Sequence, residues 1–415
     1  MSTYTDIRYD YNLPSGFGGG LNLLATNTIT SGVASSSFTS GIDSSYRTYM
    51  FKFINIHPAI DGVEFQFNGS TDGGSNYNVT KTTTKFEAGH NESGSASNLN
   101  YVTTQDLAQS TAYQMIHGNI GGDNDQSGVA IMYLFSPSST TFVKHFLSVN
   151  QRCNSNEYTI NSYLGGYFNT TSAINAIDFK VGSGNIDNGI IKMYGIAWYG
   201  TDHSNIINIS RKQEVSIMTT YSNLKYDHAF SSNATGTGAL TLLSTQTASN
   251  STSLSFTTGI DSTYKEYMFK FINMHPATDG VDFTFNGSTD GGSNYNVTKT
   301  TTIFFGYHAE DGSASALSYV AGYDLAQSTS DQLIMENLGN SNDESGSGTL
   351  HLFEPSSDTF VKHFMVNTNS YASYNYSQNY YTAGYFNSTS AIDAVDFKFS
   401  SGNIDSGVIK LYGIS

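Results

Sequence analysis

The sequence predicts an all-β protein: two tandem antiparallel β-sandwiches, jelly-roll-like, produced by an internal duplication. Three observations lead there. Apolar and polar residues alternate with a period of two along most of the chain, which is the pattern of half-buried strands. Clusters of Gly, Asn, Asp and Ser interrupt that alternation at short intervals, as turns between strands require. And the chain says the same thing twice. The stretch "YMFKFINIHPAIDGVEFQFNGSTDGGSNYNVTKTTT" from Tyr49 returns as "YMFKFINMHPATDGVDFTFNGSTDGGSNYNVTKTTT" from Tyr267.

The repeat is domain-sized. Gly41 to Ile196 aligns without a gap with Gly259 to Ile414, and well over half of the aligned positions are identical. Upstream, "MSTYTDIRYDY" at Met1 matches "MTTYSNLKYDH" at Met218, and "LNLLATNTIT" at Leu21 matches "LTLLSTQTAS" at Leu240. The small offsets fall in Gly/Ser-rich loops, where insertions cost least. This divides the 415 residues into a first sandwich (1–196), a linker (197–217) and a second sandwich (218–415). The linker holds the single tryptophan, Trp198, and a "RKQE" charge cluster, and is expected to pack along the interface of the two copies.

Within the first copy the alternation marks eight strands. They are Tyr46–Ile56, Gly62–Asn68, Tyr77–Phe86, Val129–Phe135, Thr141–Val149, Tyr158–Phe168, Ile174–Val181 and Gly189–Ile196. In the first, Tyr49, Phe51 and Phe53 form the core face. The opposite face, with Met50, Lys52, Ile54 and Ile56, is expected to be partly wet because of Lys52. The stretch "DLAQSTAYQMI" (Asp106 to Ile116) allows one helical turn.

Composition narrows function. Charged residues are 13% of the chain, aromatics 13%, and the formal net charge is -16. That is too aromatic for a disordered chain. An acidic chain without basic clusters argues against nucleic-acid binding. No apolar stretch is long enough to span a membrane as a helix, so no membrane insertion is expected. The first twenty residues lack a basic segment followed by an apolar run, so no secretory leader is expected, and synthesis in a cytoplasm follows. Cys153 is the sole cysteine, and its counterpart is Tyr371, which leaves no intrachain disulfide and no cysteine zinc site.

Five groups of side chains could carry chemistry. The loop "NGSTDGGSNYN", at Asn68 and again at Asn286, offers Asp72 and Asp290 as oxygen ligands for Ca²⁺. It provides only one carboxylate each time and reads better as a Gly-Gly turn. The loop "GDNDQSG" offers Asp125, matched by Asp343 in the second copy. No metal or cofactor is expected. The matched histidines are His57 with His275, His90 with His308, and His145 with His363; none has triad or metal spacing around it. The matched carboxylates (Asp43, Asp61, Glu92, Asp106, Asp125, Asp178 and Asp187 in the first copy) fit turn-closing groups better than a glycosidase pair. Lastly, "NSYASYNYSQNYY" (Asn369 to Tyr381) interleaves Tyr with Asn and Ser. Tyr371, Tyr374, Tyr376 and Tyr380, together with Trp198, are the candidate interaction surface.

"FKFINMHPATDGVDFTFNGSTDGGSNYN", "DLAQST", "SSTTFVKHF" and the closing "SGNIDSGVIKLYGI" resemble a group of structural proteins from tailed phages, especially phages of marine bacteria. The resemblance covers most of both copies, and its motifs are scaffold motifs without catalytic residues. It implies a non-enzymatic virion component made in the bacterial host. The first expectation is a capsid decoration or cement protein; the alternative is a tail-fibre or receptor-binding component. Its implied partners are the major capsid protein or tail proteins, other copies of itself, and for the alternative a host surface glycan.

Overall fold

In a computed structural model, residues 21–196 and 239–415 are described. The linker and Trp198 lie outside the described residues. The protein is all-β, and each half holds twelve strands among those residues. In the first half they are β1 (Leu21–Ile29), β2 (Ser35–Phe38), β3 (Thr48–Pro58), β4 (Val63–Ser70), β5 (Lys81–Asn91), β6 (Ser97–Tyr101), β7 (Gln114–Ile120), β8 (Gly128–Phe135), β9 (Lys144–Cys153), β10 (Tyr158–Phe168), β11 (Ala176–Val181) and β12 (Ile186–Ile196).

An eight-stranded sheet, β1-β12-β3-β8-β9-β10-β5-β6, faces a four-stranded sheet, β2-β11-β4-β7. The second half, β13 (Leu240–Ser251) to β24 (Ile404–Ile414), repeats both orders strand for strand. There a single pairing, Leu338 with Ala372, stitches the sheets into one; the equivalent contact in the first half is the bridge of Ile120 with Asn154. An eight-plus-four sandwich differs from the two four-stranded sheets of a simple jelly roll. The eight strands read from alternation are all present. Four short or polar ones (β1, β2, β6, β7) carried too little alternation to be read. The helical turn falls at Thr103–Gln105, just upstream of the expected stretch, and Gln114–Ile116 opens β7 instead.

The core lies between the two sheets of each half. Phe51 and Phe53 from β3 meet Phe65 and Phe67 from β4 and Phe179 from β11, all fully buried. The Phe53 and Phe179 rings are 4.9 Å apart and edge-to-face, the arrangement ring quadrupoles favour. The second half rebuilds this with Phe269, Phe271, Phe283, Phe285 and Phe397. One expectation fails at Ile56, which joins this core and not the opposite face. Asn55 is the reason. Its φ of 49° makes a bulge in β3, and a bulge shifts the side-chain alternation by one residue. Asn273 does the same in the second half with φ 50°.

The opposite face of β3 is also not wet. The outer faces of the two eight-stranded sheets cover each other. Met50, Ile54, Val129 and Ile131 of the first half form one buried cluster with Phe353, Met365, Ala383 and Ile414 of the second. At its centre Phe86 and Tyr163 stack on one another, as do Phe304 and Tyr381, and the two stacks meet edge-on, Tyr163 to Tyr381 at 5.0 Å. A cavity of ≈ 230 Å³ remains beside them. Lys52 reaches through this layer to Glu266, Nζ to Oε1 at 2.6 Å, and His351 Nδ1 lies 2.7 Å from the same oxygen. Lys52 and Glu266 are 2% and 1% exposed, which corrects the wet-face reading: Lys52 is dry because a carboxylate from the other half meets it.

This buried pair fixes two expectations. Removing one partner strands a buried charge, which costs about 3–5 kcal/mol, whereas replacing both by apolar residues can be near neutral. Lys52→Met alone should therefore lower the urea midpoint far more than Lys52→Met combined with Glu266→Leu; equal losses would show that the pair is not desolvated. Burial alone would raise the Glu266 carboxyl, but Lys52 and then His351 outweigh it and hold it at about 2, below its ordinary 4.5. A depressed carboxyl stabilises the fold above the unfolded-state value and loses that contribution as the proton binds. The Glu266 contribution should be intact above about pH 5 and fade from about 4.5 towards 2. Glu266→Gln should flatten that part of the stability–pH curve.

Candidate interaction surface

Most of the groups singled out in the sequence hold the scaffold. In the Gly-Gly loop, Asp72 Oδ1 accepts from Ser70 Oγ (2.6 Å) and Asn76 N (2.9 Å), and Oδ2 accepts from Asn76 Nδ2 (2.7 Å). Asp290 repeats this with Ser288 and Asn294. The donors from Ser70 and Asn76 pull the Asp72 carboxyl down to about 2. Gly73 and Gly74 have φ of +73° and +91°, and a Cβ on Gly74 would stand 2.7 Å from Tyr77 Oη. Glycine is needed there for the turn. Asp125 and Asp343 are exposed, and the Asp125 carbonyl lies 3.4 Å from the Val361 N–H of the other half. Among the described residues no three His, Cys, Asp or Glu side chains converge on one point.

The matched carboxylates behave alike. Asp43 accepts from Ser45 N and Tyr49 Oη. Asp61 accepts from Gly122 N, and Asp106 from Lys85 N. Asp178 accepts from Ser37 Oγ and Tyr113 Oη. Their counterparts Asp261, Asp324 and Asp396 keep equivalent partners. His57 and His275 each have Nε2 3.2 Å from a loop carbonyl, with Asp187 or Asp405 on the other ring nitrogen's side.

The remaining matched pairs separate into a covered member and an open one. His363 is fully buried against the first half, its Nε2 2.9 Å from Ser127 Oγ, and burial pushes it down to about 3. Its counterpart His145 is exposed. The Ser127–His363 contact has the atoms of a serine nucleophile and its base, but both residues are 0% exposed and the His363 Nδ1 lacks a protein partner. A substrate cannot reach it. Glu92 accepts a hydrogen bond from Tyr385 Oη, and Cys153 packs on the same ring with its thiol pushed up to about 12 by burial. Glu266, His351 and Glu354 were not found by sequence reasoning, and Lys52 was read only as the mark of a wet face. The usable signal was internal: Glu266 stands where the first copy has Thr48, and Glu354 where it has Ser136.

Of the four tyrosines, Tyr371, Tyr374 and Tyr376 reach the surface and Tyr380 does not. Tyr374 is 39% exposed, and Tyr376 stacks on Tyr307 with ring centroids 5.4 Å apart. Together with Glu310, Asp311, Ser313 and Asn375 they line a pocket of ≈ 360 Å³. Tyr371 stands beside it and donates to Glu310 Oε2 at 2.8 Å. Tyr380 is a correction: it is 0% exposed, packed with Ile303, Phe305 and Leu333, its hydroxyl on Glu336. Tyr376 and Tyr380 lie four residues apart on one face of β22 (Tyr376–Phe386), so the alternation does not separate them: Tyr376 stands at the start of the strand, whereas Tyr380 lies further in, beside Phe305 of β17 (Lys299–Ala309) and covered by Leu333.

No protein family and no curated protein matches this chain. Among solved structures, the PBSX exported protein XepA is similar over 96% of this chain and 87% of its own, at 8% identity and a TM-score of 0.15. Domains LG4-5 of the mouse laminin alpha1 chain are similar over 96% and 90%, at 8% identity and a TM-score of 0.17. Likeness this slight carries no argument about this chain.

The occupied donors around Asp72 and Asp290 lead to a direct check. Millimolar Ca²⁺ should leave the melting temperature unchanged. A rise that Asp72→Ala abolishes would make the loop an ion site.

Proposed function

We propose that this protein is a non-enzymatic structural component of a phage particle, a decoration or cement protein on the outer capsid surface. The observation that carries the structural half of this reading is the use of Asp43, Asp61, Asp106 and Asp178 and their counterparts, which close turns and tie strands in both halves. The resemblance of the repeated segments to tailed-phage structural proteins supports the virion location and synthesis in the bacterial host. The major capsid protein is then the natural partner, and two fused sandwiches let one chain cover two neighbouring contacts.

The second reading is a tail-fibre or receptor-binding component that recognises host glycans. It is favoured by the exposed Tyr374 and the Tyr376–Tyr307 stack beside polar Glu310 and Asn375, since a sugar ring stacks on one and hydrogen-bonds to the other.

Copy number separates the two. Gel densitometry of purified virions should find the chain at many tens of copies per particle, as surface decoration demands. A count of a few threes or sixes would place it in the tail. In that case glycan-array binding should disappear on Tyr374→Ala with Tyr376→Ala.

A further inference from the structure

The contact between the two halves is head-to-tail away from its centre. If the halves were related by a twofold axis, every contact would have a mirror partner, residue i on j and residue j on i. Only the aromatic centre approaches this, with Phe86 near Phe304 and Tyr163 near Tyr381. Elsewhere one end of the first half meets the other end of the second. His57 packs on Phe360 with rings 5.5 Å apart, Ser127 meets His363, and Glu92 meets Tyr385.

The reciprocal surfaces are all present and all open. Phe142, the counterpart of Phe360, is 72% exposed against 8%. Leu147 is 53% exposed where its counterpart Met365 is 5%. His145 and Leu147, with Thr84, Phe135 and Tyr167, line an open apolar groove of ≈ 560 Å³ on the first half. In the second half the matching side chains are buried under its partner half. On the second half the complementary residues His275, Ser345 and Glu310 line open polar pockets, whereas their counterparts His57, Ser127 and Glu92 are engaged.

We propose that these two open surfaces bind each other between chains: the His145–Leu147 groove and the exposed Phe142 on the first half of one molecule receive the His275–Ser345–Glu310 surface on the second half of another. The occupant is a second copy of this protein because its three polar and aromatic contacts are already written in the sequence. Phe142 finds His275 as Phe360 finds His57. His145 finds Ser345 as His363 finds Ser127. Tyr167 finds Glu310 as Tyr385 finds Glu92, the carboxylate also keeping Tyr371. A head-to-tail contact that recurs between chains yields a ring or an open filament.

The junction between chains is also built to be weaker than the one within a chain. Lys52 has Glu266 and Asn55 has Glu354, at 2.6 Å each. Their counterparts Lys270 and Asn273, both exposed, would face Thr48 and Ser136 and lack those carboxylates. The fused contact is permanent, and the contact between molecules is reversible. The inference is independent of whether the particle site is capsid or tail.

The test uses the full chain in sedimentation or light scattering from micromolar to near-millimolar concentration. The wild type should associate as concentration rises. Phe142→Asp, at an exposed site that leaves each half intact, should weaken association at least about tenfold. Thr48→Glu with Ser136→Glu should tighten it by about tenfold or more, by supplying the missing carboxylates. Ser136 has φ 45° and Glu354 φ 40°, so a glutamate fits that backbone. A chain that stays monomeric throughout, or association indifferent to both sets of changes, would overturn the proposal. Neither result bears on virion copy number.

Discussion

An apolar outer sheet face cannot be left in water, and the architecture follows from how this protein covers it. Each eight-stranded sheet has two usable faces. One is closed by the half's own four-stranded sheet. The other carries Met50, Ile54 and Ile131 in the first half and Met268, Phe353 and Met365 in the second. Covering each face with the other half buries much of both at once. It also forces Lys52 into an environment where an ammonium is tolerable only with a carboxylate against it. Burial pulls the Lys52 ammonium towards neutrality, and Glu266 at 2.6 Å pulls it back. The junction is therefore specific as well as apolar, since a sliding of the sheets would strand both charges.

Duplication makes two equal sequences and then places them in unequal surroundings. The differences between the copies sit where those surroundings differ. Thr48 and Tyr133 of the first half correspond to Glu266 and His351, the two residues that meet at the buried pair. Ser136 corresponds to Glu354, which holds Asn55 and Lys265. Cys153 lies beneath Tyr385, and its counterpart Tyr371 is free to reach Glu310 instead. Meanwhile the turn-closing groups, which face the same local backbone in both halves, are unchanged.

The same asymmetry connects fold to function. A protein whose shared polar groups are spent on turns has its variable chemistry at its surfaces, and here those surfaces are the open ends of a contact the fold already uses once. Under the proposed reading as a particle component, a permanent joint inside the chain and a weaker one between chains would let misplaced copies leave.

Period-two alternation and Gly/Asn turns determined the all-β class, the eight long strands and the aromatic core, because strand geometry alone decides which side of a sheet a residue faces. The repeat determined that the two halves share one strand order. The Asp72 and Asp290 turns were legible because their bonds close within a few residues. What no local pattern could decide is what lies against an outer face. Lys52 reads as a sign of water until Glu266, far along the chain, is brought to it. Ile56 reads as outward until the Asn55 bulge shifts it. Tyr380 and Tyr376 look equivalent in a tyrosine tract until the strand is placed in its sheet. His145 and His363 are the same residue in sequence terms, and only the tertiary contact leaves one in solvent and the other dry. Burial is a property of neighbours, and these neighbours come from the other half of the chain.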